Sequence, residues 1–237
     1  MSKSLALARP VSPPRIISWS LEKVLDHLAD LDISDCSLKD LLDKTIFLIA
    51  LASGGRVSEI SALQRGREYT CINPAGVLVL RPGHGFLAKN EDPCIRRDPW
   101  RIPPLPGEDR SLCPVANIQA YLHRTAEHTS GYLFRHHSSS KPLSVCALRV
   151  RLTSLIKRTN PQSVPKAHDV RKMASSLAFF TDMSYQCISQ MTGWSSTAVF
   201  VKHYLSSIDS VRQSCIALGN VCDFKRRDPY GDPDADH

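Results

Sequence analysis

Along the first quarter of the chain, apolar positions recur at helical spacing. In "SWSLEKVLDHLADL" (18–31), Leu21, Val24, Leu25 and Leu28 share one face of a 3.6-residue period. Ser20 stands where an N-cap hydroxyl is wanted, so the pattern predicts a helix there. "SLKDLLDKTIFLIALA" (37–52) is apolar round most of its circumference, which predicts a second and more deeply buried helix. The "SGG" that follows is a stop, because glycine adopts the left-handed conformation that ends helices. "RVSEISALQR" restarts the helical pattern. Between 76 and 104 the period changes. "GVLVLRP", "GFLAKN" and "DPWRIPP" are short β-like runs parted by Gly, Pro, Asn and Asp, and they predict a small antiparallel sheet of about three strands. Helical spacing returns over 113–126 and again near 143–158, 168–180, 184–191 and 196–207, with a last helix over 208–219. The expected fold class is therefore α+β, mainly α with one small antiparallel sheet inserted early. Residues 1–15, with three prolines, read as a loose leader. The polar, Pro-containing tail 223–237 reads as disordered.

Composition narrows the classes. Hydrophobic residues make up 42% of the 237, enough for a packed core. No apolar run approaches the roughly 20 residues of a membrane span, and the N-terminus is too short and Pro-rich for a secretory signal. Eight cysteines are scattered with no C-x2-C pair, so neither a metal site nor a disulfide framework is expected. The net charge of +7 changes the picture more, because a basic balance favours a polyanionic partner, nucleic acid first.

Four places carry candidate chemistry. In "KAHDVRKMASSLAFF", His168 and Arg171 are three apart and share a helix face, while Met173, Leu177 and Phe180 form a different, core-facing stripe. His168 and Arg171 then point together into a cleft, or are an ordinary solvated pair. In "SGGRVSEI", Glu59 lies one turn from Arg56, either to orient that guanidinium for a ligand or as a surface ion pair. Lys89, in "GFLAKNEDP", sits at a predicted hairpin turn, solvated or able to swing into a site. "TGWSSTAVFVKHYL" then adds Trp194 and, ten residues on, Tyr204.

Taken in order, Arg56 with Glu59, Lys89, His168-x-x-Arg171, Trp194 and Tyr204 resemble the catalytic domain of the tyrosine recombinase (phage integrase) family. "GGRVSEI" looks like its first-arginine motif, "AHDVR" like its His-x-x-Arg box, and "TGWSS…HY" like the box that leads to its nucleophile. The wording of these segments is most similar to the recombinases of DIRS-type retroelements. The resemblance spans roughly residues 18–220 and implies that 16–222 form one tyrosine recombinase catalytic domain. It implies cleavage and rejoining of DNA strands, in site-specific recombination or integration of a mobile element. No metal or other cofactor is called for. Tyr204 would form a 3′-phosphotyrosine and expel a 5′-hydroxyl. Arg56 and Arg171 would hold the phosphate oxygens, and Lys89 would protonate the leaving oxygen. His168 would hold an oxygen or accept the Tyr proton, Trp194 would donate one hydrogen bond and pack the Tyr helix, and Glu59 would brace Arg56.

The implied partner is double-stranded DNA, with the chain acting as a tetramer on it, in the nucleus, or in the cytoplasm of a prokaryotic host. Lys157, Arg158, Lys166, Lys172 and Lys202 are the expected contacts to backbone phosphates. Only 55 residues precede Arg56, which leaves no room for the family's N-terminal core-binding domain; weak, steeply salt-dependent DNA binding is the expectation. Two rival readings stay open. One is a catalytically silent DNA-binding remnant of a mobile element, the other a relaxing enzyme of the type IB topoisomerase kind.

Overall fold

The computed structural model describes residues 17–87, 98–107, 110–128, 131–139, 141–181, 183–184 and 186–188. Its first helix, α1 (Leu21–Ala29), is capped by Ser20, whose Oγ accepts from the backbone N–H of Lys23, and it buries Leu21, Val24, Leu25 and Leu28, the stripe read from the sequence. The second, α2 (Leu38–Ser53), starts at Ser37, whose Oγ accepts from the Asp40 N–H at 3.1 Å. It is buried on nearly every side from Leu41 to Ala50. It ends where predicted: Gly54 takes φ 57°, and its N–H donates to the Ala50 carbonyl.

So central a helix must bury polar groups, and each has a partner. Lys44 Nζ donates to the Leu31 carbonyl at 2.7 Å, and Thr45 Oγ1 to that of Leu41 at 2.6 Å. Asp43 pairs with Arg151 at 2.6 Å.

The short helix α3 (Val57–Ser61) is briefer than its sequence pattern predicts. Leu63 and Gln64 leave the helical path to bridge Pro82 and Tyr132, which seats Leu63 in the core. The sheet is three-stranded, antiparallel and ordered β1 (Thr70–Ile72), β2 (Leu78–Leu80), β3 (Trp100–Ile102). Leu80 stands opposite both Thr70 and Trp100. Two of the predicted runs, around 78–80 and 100–102, are strands. The predicted run "GFLAKN" is not one over its described residues, Gly85–Leu87. The third strand comes earlier, from "TCI". It is joined to β2 by a turn in which Asn73 Oδ1 accepts from the Val77 N–H and the Gly76 N–H donates to the Asn73 carbonyl.

Three longer helices follow: α4 (Pro114–Arg124), α5 (Val145–Thr159) and α6 (His168–Phe180). Ser144 caps α5 through the Ala147 N–H at 3.1 Å. The last turn of α4 is closed from a distance by Arg65, whose guanidinium donates to the Thr125 and His128 carbonyls and to the Thr125 hydroxyl. In the centre, α2 packs against α3, α4, α5, α6 and β3. Residues 186–188 are helical, within the predicted 184–191. The leader 1–15, the predicted helices at 196–207 and 208–219 and the tail lie outside the described residues. Among the described residues no helix is long and apolar enough to cross a membrane, and no cluster of three or more His, Cys, Asp or Glu side chains could hold a metal ion.

Candidate functional site

Helix α6 departs from its sequence reading in an informative way. Met173 and Leu177 are core residues as expected, and the side chain of Phe180 lies outside the described set. The helix is not one-sided, however: every residue from Asp169 to Ala178 is buried. Arg171, expected to share an outward face with His168, is 2% exposed. Its Nη1 donates to the Gly54 carbonyl at 2.8 Å, across 117 residues of sequence, and stands 3.9 Å from Glu59 Oε2. The first is a hydrogen bond; the second is a charge contact beyond hydrogen-bond reach.

Glu59 is the hub. Its side chain is wholly buried, and both oxygens are engaged with Arg56: Oε2 accepts the Arg56 backbone N–H at 2.6 Å, and Oε1 accepts Nη1 at 2.8 Å. The first bond is the reach-back of a capping box, which satisfies an N–H that the start of α3 would otherwise leave over. This is therefore not the exposed i,i+3 pair that a surface helix would carry. Arg56 keeps 23% of its side chain open and lines a cleft of about 490 Å³ together with Ser58, Arg149, Thr153, Lys166 and His168.

His168 opens α6 on the cleft side. Asp169 beside it accepts the Lys166 N–H at 2.8 Å, which fastens the turn leading into the helix. The residue keeps an exposed surface, yet its ring is crowded by protein. Desolvation first, then the positive charges of Arg171, Arg56 and Lys172, hold the imidazole below its ordinary value; Asp169 opposes them. A neutral imidazole at neutral pH is the form that can accept a proton.

The structure thus brings together four of the predicted residues, Arg56, Glu59, His168 and Arg171, from α3 and α6. Lys89, Trp194 and Tyr204 lie outside the described residues, as does Lys202. Of the other expected phosphate contacts, Lys157 and Lys166 are exposed. Arg158 reaches toward Asp40 at 3.4 Å. Lys172, also expected to contact phosphates, is buried, 7% exposed, which takes it off the open surface that such a contact needs. Sequence reasoning also passed over Arg149. The signal was present: Cys146, Arg149, Val150, Thr153 and Lys157 recur at helical spacing along α5, a row opposite its core stripe of Leu148, Leu152, Leu155 and Ile156. The first four of that row line the cleft.

Compared with protein-family models and with the curated proteins, the chain finds no match.

The arrangement is suited to an oxyanion with several oxygens. Arg56, Arg149 and Lys166 bring positive charge and N–H donors to the cleft, Ser58 and Thr153 bring hydroxyls, and His168 brings a titratable nitrogen. Behind them Arg171 adds a charge that water cannot screen, because it is enclosed.

Proposed function

We propose that the chain carries the catalytic domain of a DNA strand transferase of the tyrosine recombinase kind, acting on duplex DNA and self-associating upon it. The observation that carries the reading is the corner just described. Arg56 and His168 line one cleft, and behind them the enclosed Glu59 and Arg171 join the two segments, Glu59 bonded to Arg56 and Arg171 to Gly54 across 117 residues of sequence. A charged corner of this kind has little value for stability compared with apolar packing, but it matches the need of phosphoryl transfer.

In the proposed reaction the Tyr204 oxygen attacks phosphorus. The P–O5′ bond breaks, the 3′-phosphate stays on the tyrosine, and the departing O5′ takes a proton from Lys89. The Tyr204 proton passes to His168, which its neighbours keep neutral. Negative charge that builds on the non-bridging oxygens is met by Arg56 directly and by Arg171 from behind. Preorganised donors of this type contribute about 3–4 kcal/mol each to the transition state.

The test is a trap for the covalent adduct. The protein and its Tyr204→Phe variant are incubated with nicked suicide duplexes from a random-sequence pool. An SDS-resistant protein–DNA adduct is expected with the first and absent with the second, while both retain the same DNA affinity. An adduct that survives Tyr204→Phe overturns the assignment of the nucleophile. DNA binding without any adduct favours the silent-remnant reading.

A further inference from the structure

Gly55 is a glycine for reasons of space. It is not among the residues with positive φ, so its backbone suits any amino acid. A Cβ placed on it, however, would lie 2.4 Å from Cη2 and 2.5 Å from Cζ2 of Trp100, and 3.0 Å from Ser53 Oγ. The six-membered ring of the indole therefore sits directly on the backbone of residue 55. Trp100 is itself 7% exposed and opens β3, opposite Leu80. The two residues that flank Gly55 both belong to the cationic corner. Gly54 offers its carbonyl to Arg171, and Arg56 gives its N–H and its guanidinium to Glu59. On the other side the turn is fastened to α2: the Gly55 N–H donates to Ser53 Oγ, which donates to the Ile49 carbonyl at 2.7 Å.

We infer that Trp100 is a positioning residue for this corner. Seated on Gly55, its indole sets the height of the Gly54–Gly55 turn, so that Gly54 meets Arg171 while Arg56 meets Glu59, and so ties the sheet to the site. Both interactions depend on the same few atoms of backbone. A displacement of about 1 Å there is enough to break hydrogen bonds of 2.6–2.8 Å at once. The structural claim stands on this packing alone; its consequence for strand cleavage rests on the proposed function.

Three variants test it: Gly55→Ala, Trp100→Phe and the two combined. Phe does not reach as far as Cη2 and Cζ2, so it makes room for the alanine methyl. The readout is the NMR titration of the His168 ring, assigned with His168→Gln, alongside the rate of adduct formation on suicide duplexes. Gly55→Ala is expected to move the His168 titration up toward its ordinary value, as Arg56 and Arg171 shift away, and to slow adduct formation by about 10²-fold. Adding Trp100→Phe is expected to return both toward wild type. Should Gly55→Ala not fold, Trp100→Leu removes the contact without a clash and is expected to move the titration the same way.

A tryptophan that only fills the core would lower the unfolding midpoint and leave the titration of the folded protein in place. That outcome overturns the inference, as does an identical Gly55→Ala shift with and without Trp100→Phe. If wild type forms no adduct but the His168 coupling is seen, the strand-transfer reading falls and the positioning role stands. If wild type and Gly55→Ala cleave alike and titrate alike, the positioning role falls and the reading stands.

Discussion

Two arginine–carboxylate contacts in this molecule are built differently. Arg151 and Asp43 join α5 to α2 at 2.6 Å, one cation to one anion, with Arg151 Nη2 also 3.1 Å from His137 Nδ1. Arginine only donates, so His137 accepts there. The corner at α3 and α6 holds Arg56 and Arg171 around Glu59, with His168 beside them and Asp169 and Lys172 close enough to act on its ring. The first contact is balanced and closed, as a tie between two helices should be. The second opens on a cleft that Arg56, Arg149, Lys166 and His168 line. The contrast is between a tie that joins two helices and a corner that faces a cleft, and the proposed function puts the anion in that cleft.

The largest effect that would break this contrast comes from Glu59. Glu59→Ala takes the carboxylate from the enclosed Arg171 and the half-buried Arg56 and is expected to cost about 3–5 kcal/mol in urea unfolding. Sulfate should restore part of that loss by taking the carboxylate's place. Sulfate strengthens most folded proteins, so the comparison is with Asp43→Ala in the same salt. Equal recovery in the two variants would remove the distinction between corner and tie.

Asp43→Ala is expected to cost about 1–3 kcal/mol, the price of a stranded buried partner. The tie should be replaceable. Asp43→Leu combined with Arg151→Leu is expected to unfold within about 1 kcal/mol of wild type, because an apolar pair of similar volume does the same joining. A double variant no better than the single one would show that Arg151 does more than hold two helices together.

A smaller and more specific effect concerns pH. The His168 imidazole is held below its ordinary value in the folded state. Below the unfolded value of about 6.5, the unfolded chain therefore binds more protons than the folded one. Stability contributed by neutral His168 is present above that pH, falls as pH drops toward the folded pKa, and falls no further beneath it. His168→Gln is expected to flatten this part of the stability–pH curve. A slope that survives the substitution would have to come from elsewhere, and His27 is the first suspect, since burial and Arg158 also lower it.

Local order was the legible part of this chain. Ser20 announced the start of α1 and the "SGG" of 53–55 the end of α2, and α6 spans the stretch its spacing predicts, because caps and periodicity are properties of neighbours in sequence. Strand β1 was missed since three residues, Thr70–Ile72, carry too little alternation, though the "NPAG" turn after it was a usable sign. The burial of Arg171 and Lys172 was not legible for a different reason. A helical wheel assumes one wet face, and α6 has none over ten residues. What makes the burial of Arg171 tolerable is the carbonyl of Gly54, a partner that only the folded chain brings near.

The finest comparison lies within α5, between adjacent residues. Arg158 turns toward Asp40 at 3.4 Å, a largely exposed pair of the sort worth about 0–1 kcal/mol. Lys157 continues the row that lines the cleft through Arg149 and Thr153. Arg158→Ala is thus expected to lower stability slightly and to leave the salt dependence of DNA binding nearly unchanged, since its charge is already answered. Lys157→Ala should do the reverse: no measurable change in unfolding, and a slope of log affinity against log salt that is shallower by about 1, the signature of one lost phosphate contact. If the two substitutions change the slope equally, the DNA path does not follow the cleft-lining row, and the side of α5 that faces α2 must be included in it.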